Sequence, residues 1–407
     1  MSKIKMCQTA SCKSLVVYLV SIISLQISAQ QFSKADVLSD LDYLKSSLEA
    51  THFDLYAYTP KDLFEEHFLT IKKQIQTDSL SLLEVTNLYQ KVVAKVNNAH
   101  TRIPFPVPSY FTYVEAGGSI FPLEVVIENN QVLIRKNWSA DSHIQVGAEL
   151  KMINGVPIKE VLKHLHSQIS AERLYLKNAQ LEAFTLPRYY WLVFGEQKSF
   201  EVQIQQNGML STHQLEAIKA MEAFEMKRND ILQHHWDFKL LSKTAAYLRP
   251  GAFGGDKDKY QRFIDSAFIE LKTKKLKNLI VDLRNHPGGD DAISDYLVSY
   301  IADRPFKWAS KFELKSSALL KTDARKNKDT AATYWKSILT HKNGEIYQYD
   351  FGFQQPQPLD KRFQGKVYVL VNRQSYSQAA VTASQIQDYG FAQLVGEETA
   401  EFPNLYA

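Results

Sequence analysis

Two apolar strands, each followed by a short turn and a helix, constrain the fold of this 407-residue chain most strongly. The first strand is KNLIVDLR at 277–284, followed by the turn 286–289 and a predicted helix over 290–302. The second is KVYVLVN at 366–372, followed by a predicted helix over 377–389. Continuous apolar strands are typical of parallel sheets that are covered on both faces. The pattern therefore predicts an α/β core with a ligand crevice beyond the carboxyl ends of these strands.

The residues before this core predict a helical region and then a β region. Apolar residues recur at helical spacing over 33–48 and 82–96, and Asn97 and Asn98 form the expected helix stop. Between about 106 and 205, short β runs alternate with Gly-Gly and Asn-Gly turns. The chain is therefore expected to contain several domains.

One stretch of the β region has a more specific pattern. Residues 146–158, VGAELKMINGVPI, resemble the strand and turn of PDZ domains, whose groove binds peptide tails by strand addition. The alternative is any small β module with an Asn-Gly hairpin.

The first 29 residues have the features of a secretory signal, with an apolar segment at 15–25 and small residues at 27–29. Its positive residues are Lys3, Lys5 and Lys13. We expect cleavage and export to the periplasm or the medium, with an uncleaved anchor as the alternative, although the segment is short for a membrane span. The two cysteines of the chain, Cys7 and Cys12, would leave with this segment. The mature chain would then contain neither disulfides nor thiol chemistry.

The charge balance bears on the class of partner. Lys and Arg total 48 against 44 Asp and Glu, and the positive residues are scattered along the chain. We therefore expect no nucleic-acid partner. His234, His235 and Asp237 form a local group that resembles a metal site, but no second cluster accompanies them. We expect neither a metal nor an organic cofactor.

Ser377 stands at the start of the predicted helix of the second unit. The free N–H groups and the positive end of the helix dipole would face the same crevice as its hydroxyl. This is a suitable place for a nucleophile, with the N–H of Gln378 directed at an oxyanion. The turn 287–289 offers a second donor, the N–H of Gly288, because glycine permits close approach of the backbone. The simpler interpretations are a serine that caps the helix and an ordinary strand-to-helix turn.

Together these segments resemble the tail-specific (C-terminal processing) serine peptidases. NLIVDLRNHPGGDD is similar to the DLRxNPGG strand and turn of that family, and the segment from KVYVLVN to VGEET is similar to its nucleophile segment. The resemblance implies an α/β crotonase-like (ClpP/crotonase-type) core, preceded by a helical N-terminal domain and a PDZ-like β module. The implied divisions are a signal peptide at 1–29, the helical domain at 30–105, the PDZ-like module at 106–235 and the peptidase core at 236–407.

The resemblance also implies a general base. One branch of the family places a lysine about 25 residues after the serine, where this chain has Phe402, and no lysine occurs over 377–407. A second branch, similar to the tricorn core protease, uses a histidine in a DGHT-like motif, and this chain has NNAHT at 97–101. An imidazole is suited to taking the serine proton at neutral pH. We therefore predict that His100 is the general base.

The acid that orients the histidine is not assigned by these motifs. In the tricorn-like branch it lies well downstream of the serine, and this chain ends 30 residues after Ser377. Glu397 and Glu398 are the local candidates, and the other nearby acids are Asp388 and Glu401. We expect a core truncated at its C-terminus, with later strands missing, so that the orienting acid is either missing with them or is Glu397 or Glu398.

These features predict an exported serine-type endopeptidase, a hydrolase that cleaves peptides or protein tails through an acyl-enzyme on Ser377. The alternative is a catalytically inactive relative that binds a peptide or a hydrophobic ligand. A further alternative is a scaffold that acts through the PDZ-like groove alone.

Overall fold

Three hydrophobic cores organise residues 31–404, the part of the chain that the computed structural model describes. They are built from residues between 37 and 96, between 110 and 224, and between 246 and 386. The predicted signal segment, residues 1–29, lies outside the described residues. None of the helices within 31–404 is both long enough and apolar enough to cross a membrane.

The first core is formed by helices, as predicted. Its elements are β1 (Gln31–Ser33), α1 (Lys34–Thr51), α2 (Lys61–Gln74), β2 (Ser79–Ser81) and α3 (Leu82–Ala94). Strands β1 and β2 pair antiparallel, and Ser81 caps α3 in a reciprocal pair of hydrogen bonds with Glu84. Helix α3 ends three residues before the predicted stop, and Asn97 has a positive φ of 56°. This left-handed residue starts the loop that carries His100.

The second core contains a six-stranded sheet with the order β4-β5-β6-β8-β9, in which β7 also pairs with β6. Its strands are β3 (Ser119–Ile120), β4 (Leu123–Glu128), β5 (Gln131–Asn137), β6 (Glu149–Ile153), β7 (Val156–Pro157), β8 (Ser199–Gln206), β9 (Met209–Glu216) and β10 (Ile218–Lys219). Strand β10 pairs with β3 and leads into a π-helix, Ala220–Glu225. Strands therefore occupy the short β runs predicted for this region, and β4 is one edge of the main sheet.

Four helices belong to this second core. They are α4 (Val107–Glu115), α5 (Ile158–His166), α6 (Leu174–Phe184) and α7 (Leu186–Phe194). Helix α5 follows the Asn-Gly turn, and α4, α6 and α7 lie in a region for which only short β runs are predicted. Five consecutive residues of α6, 179–183, are buried, so this helix has no single apolar face. A helix buried on several sides lacks the periodic pattern by which a surface helix is recognised.

The third core surrounds a five-stranded sheet with the order β11-β12-β13-β16-β17. Its elements, in chain order, are β11 (Asp237–Leu240), β12 (Ala245–Arg249), α8 (Lys257–Thr273), β13 (Asn278–Asp282), α9 (Asp291–Ser299), β14 (Glu313–Lys315), α10 (Ala318–Asn327), α11 (Thr333–Thr340), β15 (Ile346–Gln348), β16 (Lys366–Val371), α12 (Gln378–Tyr389) and β17 (Gln393–Gly396). Strand β11 runs antiparallel to β12, and the other pairs are parallel. Strands β14 and β15 form a separate two-stranded sheet.

The parallel pairing of β13 and β16 confirms the central prediction for this region. Val281 lies opposite Val369, and Asp282 lies opposite Leu370. The strands therefore end at the same edge, and the turns that follow them meet. A small fourth cluster joins this edge to the rest of the molecule; it comprises Ala99, Ala171, Leu176, Ala179, Ala183, Tyr376 and Ala400. This cluster brings together the loop after α3, helix α6, the turn before α12 and the segment after β17.

Candidate active site

Ser377 occupies a sharp turn between β16 and α12. Its backbone has φ 48° and ψ −122°, a positive-φ conformation that is costly for a residue with a side chain and is commonly found at functional sites. Its hydroxyl makes no capping hydrogen bond to α12. Within 373–380, Ser377 is also the one residue that is half-buried rather than buried. The simple interpretation of Ser377 as a helix cap is therefore wrong.

The turn before Ser377 is tied to the turn after β13. Asn372 donates from Nδ2 to Oδ1 of Asn285 at 2.8 Å, and the N–H of Tyr376 donates to the carbonyl oxygen of His286 at 2.9 Å. The hydroxyl of Ser375 donates at 2.7 Å to the carbonyl oxygen that follows β13, so this neighbouring serine is structural and fully buried. These bonds keep the two predicted turns in contact.

Gly288 lies directly against the nucleophile turn. A methyl group at this position would lie 2.8 Å from Cβ of Ser377 and 3.0 Å from the backbone nitrogen of Gln378. The N–H of Gly288 donates to Nδ1 of His286 at 3.0 Å, so this predicted oxyanion donor is engaged by a side chain. The N–H of Gln378 stands at the first position of α12, where the helix itself offers no acceptor. The two predicted donors are therefore adjacent but differently engaged.

His286 is buried in the glycine turn rather than facing the crevice. Its ring centroid lies 4.2 Å from that of Phe253, and burial lowers its pKa to about 3. The imidazole is therefore neutral at physiological pH, which leaves Nδ1 able to accept the N–H of Gly288.

The loop after α3 presents His100 at the same junction. Oδ1 of Asn98, a buried side chain, accepts the N–H groups of both His100 and Thr101 at 3.0 Å. The N–H of Ala99 donates to Oε1 of Glu172 at 2.9 Å. The loop is thus fixed by its own asparagine and by the segment before α6, while the His100 side chain remains 34% exposed.

Glu401 contacts both predicted catalytic residues. Its Oε1 lies 2.7 Å from Nε2 of His100, and its Oε2 accepts the N–H of Ser377 at 2.5 Å. The carboxylate is 5% exposed. A carboxylate accepts hydrogen bonds, so we assign the imidazole proton of His100 to Nε2, which leaves the lone pair on Nδ1. The motifs had indicated Glu401 only as a nearby acid.

The two acids that the sequence offered as candidates lie elsewhere. Glu397 pairs with Arg373, with Oε2 at 3.0 Å from Nη2, and Glu398 pairs with Arg173 at 2.7 Å. Glu398 is also 68% exposed. The structure therefore brings Glu401 to His100 instead of Glu397 or Glu398, because arginines of two other segments hold those carboxylates.

Arg173 positions the segment that carries Glu401. Its Nε donates to the carbonyl oxygen of Ala400 at 2.8 Å, and its guanidinium lies 4.4 Å from the ring centroid of Phe402. Phe402, which stands where one branch of the family would have a lysine, therefore serves as a stacking partner. Neither Arg173 nor Glu401 has a local sequence signal, because each acts across a large separation in the chain.

Asp282 supports the start of the glycine turn from the end of β13. Its side chain is fully buried and accepts hydrogen bonds from Arg284, Arg249 and Tyr247. Burial alone would raise the pKa of Asp282, but the hydrogen bonds from Arg284 and Tyr247 lower it to about 2. The carboxylate is therefore charged at neutral pH and fixes the strand end from which the turn departs.

The histidines that had suggested a metal site have other contacts. Nε2 of His235 lies 3.1 Å from Nη1 of Arg249. Over residues 31–404, no group of three or more His, Cys, Asp or Glu side chains is arranged to hold a metal ion.

Solved structures of other proteins have a similar fold. The fold resembles that of mature CPAF, with a TM-score of 0.60 and 15% identity over 90% of this chain and 84% of that chain. A serine-to-alanine mutant of CPAF has a TM-score of 0.63 and 14% identity, over 90% of this chain and 84% of that chain. Mature CPAF complexed with lactacystin has a TM-score of 0.58 and 15% identity, over 90% of this chain and 85% of that chain. None of the curated proteins matches this chain.

The match to a protein family lies in the region around the two turns. Residues 244–402 match the profile of peptidase family S41. The matched region begins before β12 and ends just after Glu401, so it includes the glycine turn, Ser377 and the acid at His100. The similarity to peptidase family S41 therefore covers the candidate site apart from the loop that carries His100.

Proposed function

We propose that this protein is an exported serine endopeptidase in which Ser377, His100 and Glu401 act together. The observation that carries the proposal is the position of Glu401, whose two oxygens contact the predicted base and the backbone of the predicted nucleophile. A carboxylate in this position orients the imidazole and stabilises the imidazolium that forms during the reaction.

The reaction follows from these roles. Oγ of Ser377 attacks the scissile carbonyl carbon, and its proton passes to Nδ1 of His100. The C–N bond then breaks, His100 returns the proton to the leaving amine, and an acyl ester remains on Ser377. Water attacks this ester with His100 again as base, which releases the carboxylic acid and restores the hydroxyl.

The oxyanion of each tetrahedral intermediate would lie between the two turns. The N–H of Gln378 is one donor, and the N–H of Gly288 is the second once it leaves Nδ1 of His286. Both residues adjoin Ser377, and such donors act when they lie about 2.7–3.1 Å from the oxyanion.

We further propose a peptide or protein tail as the substrate, presented by a PDZ-like module at 106–235. A cavity of about 980 Å³ between α5 and α6 supports this assignment. Its walls are apolar at Ile127, Val132 and Leu162, and around it basic side chains outnumber acidic ones five to two. Such a surface suits an apolar chain that ends in a carboxylate.

The remaining parts of the proposal are a signal peptide at 1–29, a helical domain at 30–105 and a crotonase-like core at 236–407. The helical core at 37–96 and the parallel sheet of β12, β13, β16 and β17 support the last two assignments. Amino-terminal sequencing of protein recovered from outside the cytoplasm should begin at Gln30.

The direct test is hydrolysis of an unfolded protein. The mature chain should cleave β-casein, and the Ser377→Ala variant should not. If the folded wild-type chain neither cleaves casein nor reacts with a fluorophosphonate, the enzyme assignment fails. The crevice would then belong to a non-catalytic relative that binds peptides.

A further inference from the structure

The free edge of the six-stranded sheet is closed by the chain itself. Strand β4 is the edge strand, yet Leu123, Glu124 and Val125 are at most 3% exposed, because α6 and α7 lie against them. A peptide that joined this sheet as a new strand would need the outward N–H and C=O groups of β4.

Two side chains already occupy those groups at Ile127. Its N–H donates to Oε1 of Glu182, on α6, at 2.8 Å, and its carbonyl oxygen accepts from Nη1 of Arg373 at 3.0 Å. Strand addition at this position therefore requires that both Glu182 and Arg373 leave.

Arg373 belongs to the nucleophile turn, four residues before Ser377. Its guanidinium is 11% exposed and contacts three carboxylates, those of Glu128 at 2.6 Å, Glu182 at 3.4 Å and Glu397 at 3.0 Å. Burial alone would raise the pKa of Glu397, but the hydrogen bonds from Arg373 hold it below its usual value. The planar guanidinium provides several donors in fixed directions, which a lysine cannot reproduce.

Gln374 makes a second connection between the same turn and α6. Its Nε2 donates to the carbonyl oxygen of Ala179 at 3.0 Å and lies 3.3 Å from Oε2 of Glu182. Its Oε1 accepts the hydroxyl of Tyr376 at 2.7 Å. Residues 373 and 374 therefore face the second core, whereas residues 372 and 375 are bonded to the turn after β13.

We infer that Arg373 is a positioning residue that closes the β4 edge and, through the turn 372–376, holds Ser377 in its strained backbone conformation. A positive φ at a residue with a side chain persists only when the surrounding contacts enforce it. Contacts with the second core then stabilise the backbone conformation of Ser377. A peptide tail can reach the cavity between α5 and α6 but cannot pair with β4. This inference rests on the proposed role of Ser377.

The test is the rate at which a fluorophosphonate labels Ser377 in the mature chain. Arg373→Gln should slow labelling roughly tenfold to a hundredfold, because small displacements of a nucleophile have effects of this size. The labelling rate of Arg373→Lys should lie between those of wild type and Arg373→Gln. Lysine keeps the positive charge but cannot bond to Ile127 and Glu397 at the same time. Hydrogen exchange at the Ile127 amide should become faster in Arg373→Gln.

Arg188→Gln is the matched control. Arg188 is also mostly buried, at 17% exposure, and pairs with Glu225 in the same core, away from the nucleophile turn. It should lower the thermal unfolding midpoint while labelling stays within about twofold of wild type, because distant sites act independently. A wild-type labelling rate in folded Arg373→Gln overturns the inference, as does an equal loss in Arg188→Gln.

A second variant keeps the test decisive if Arg373→Gln does not fold. Glu182→Gln retains an oxygen for the N–H of Ile127 but replaces a carboxyl partner of Arg373 with an amide, and labelling should slow several-fold. An unchanged rate contradicts the inference. If the wild-type chain is not labelled at all, the proposed function fails instead. Exchange at Ile127 would still show whether Arg373 closes the edge.

Discussion

Four helices within residues 31–404 begin immediately after a serine, and Ser377 differs from the other three serines, of which Ser81 is an example. Ser81, before α3, has φ −73° and ψ 160°, and its hydroxyl accepts the N–H of Glu84. Ser377, before α12, has φ 48° and ψ −122°, and its hydroxyl makes no such bond. The N–H of Ser81 donates to Glu84 within the same helix, whereas that of Ser377 donates to Glu401 from another segment. The backbone conformation therefore separates a helix cap from a candidate nucleophile.

The strongest test of this difference is the same substitution at both serines. Ser377→Ala should abolish fluorophosphonate labelling and leave the free energy of unfolding almost unchanged, because the hydroxyl makes no capping bond. Ser81→Ala should cost about 1 kcal/mol of stability and leave labelling at the wild-type rate. Urea unfolding and gel fluorescence measure the two effects. Labelling that survives in Ser377→Ala would remove the distinction.

The next largest effect is expected at the partners of Ser377. His100→Ala and Glu401→Gln should each slow labelling roughly 10²–10⁴-fold, because one removes the base and the other its orienting charge. Rates are measured by timed labelling of folded protein.

Glu398→Gln is the matched control for Glu401→Gln. Glu398 lies three residues away and forms an exposed pair with Arg173, so its variant should stay within about twofold of the wild-type rate. If Glu398→Gln has the larger effect, the assignment of Glu401 is wrong.

A smaller effect is expected where the glycine turn touches Ser377. Gly288→Ala would place a methyl group 2.7 Å from the carbonyl oxygen of Tyr376, at a φ of 89°. It should cost about 1–3 kcal/mol of stability and slow labelling about tenfold or more.

Gly147→Ala is the matched control for Gly288→Ala, because it has the backbone strain without the contact. Gly147 has the same φ of 89°, but no atom lies within 4 Å of an added methyl group. It should cost about 1–2 kcal/mol with unchanged labelling. Equal labelling rates in the two alanine variants would show that the contact with Ser377 is unimportant.

The smallest effect concerns the scaffold alone and depends on pH. The folded-state pKa of Asp282, about 2, lies below its unfolded value, so its contribution to stability is present at neutral pH and is lost as the pH falls from about 4 to 2. Asp282→Asn should remove about 2 kcal/mol of this pH dependence, measured by urea unfolding at pH 5 and pH 2.5. An equal pH dependence in wild type and variant would contradict the low pKa.

The two turns could be predicted because the information lies within short segments. An apolar strand, a glycine turn and a serine before a helix are adjacent in sequence, and the parallel pairing of β13 and β16 brings the turns together. The resemblance to a known family added His100, and the structure places that histidine within hydrogen-bonding distance of a carboxylate that also contacts Ser377.

The features that could not be predicted depend on contacts between distant segments. Glu401 lies 301 residues from His100, and its position depends on Arg173, which holds the carbonyl oxygen of Ala400. Three neighbouring glutamates give no local reason to choose one of them. Helix α6 was missed because its buried residues lack a single apolar face, and the closure of β4 by Glu182 was missed with it.

The central claim is that Ser377, unlike Ser81, is chemically reactive. Its most direct test is peptide mapping by mass spectrometry after the folded mature chain has reacted with a fluorophosphonate. We predict one adduct, on Ser377, with no modification of Ser81 or Ser375 and no adduct after prior unfolding. An adduct on another residue, or none in a folded preparation, would contradict the account.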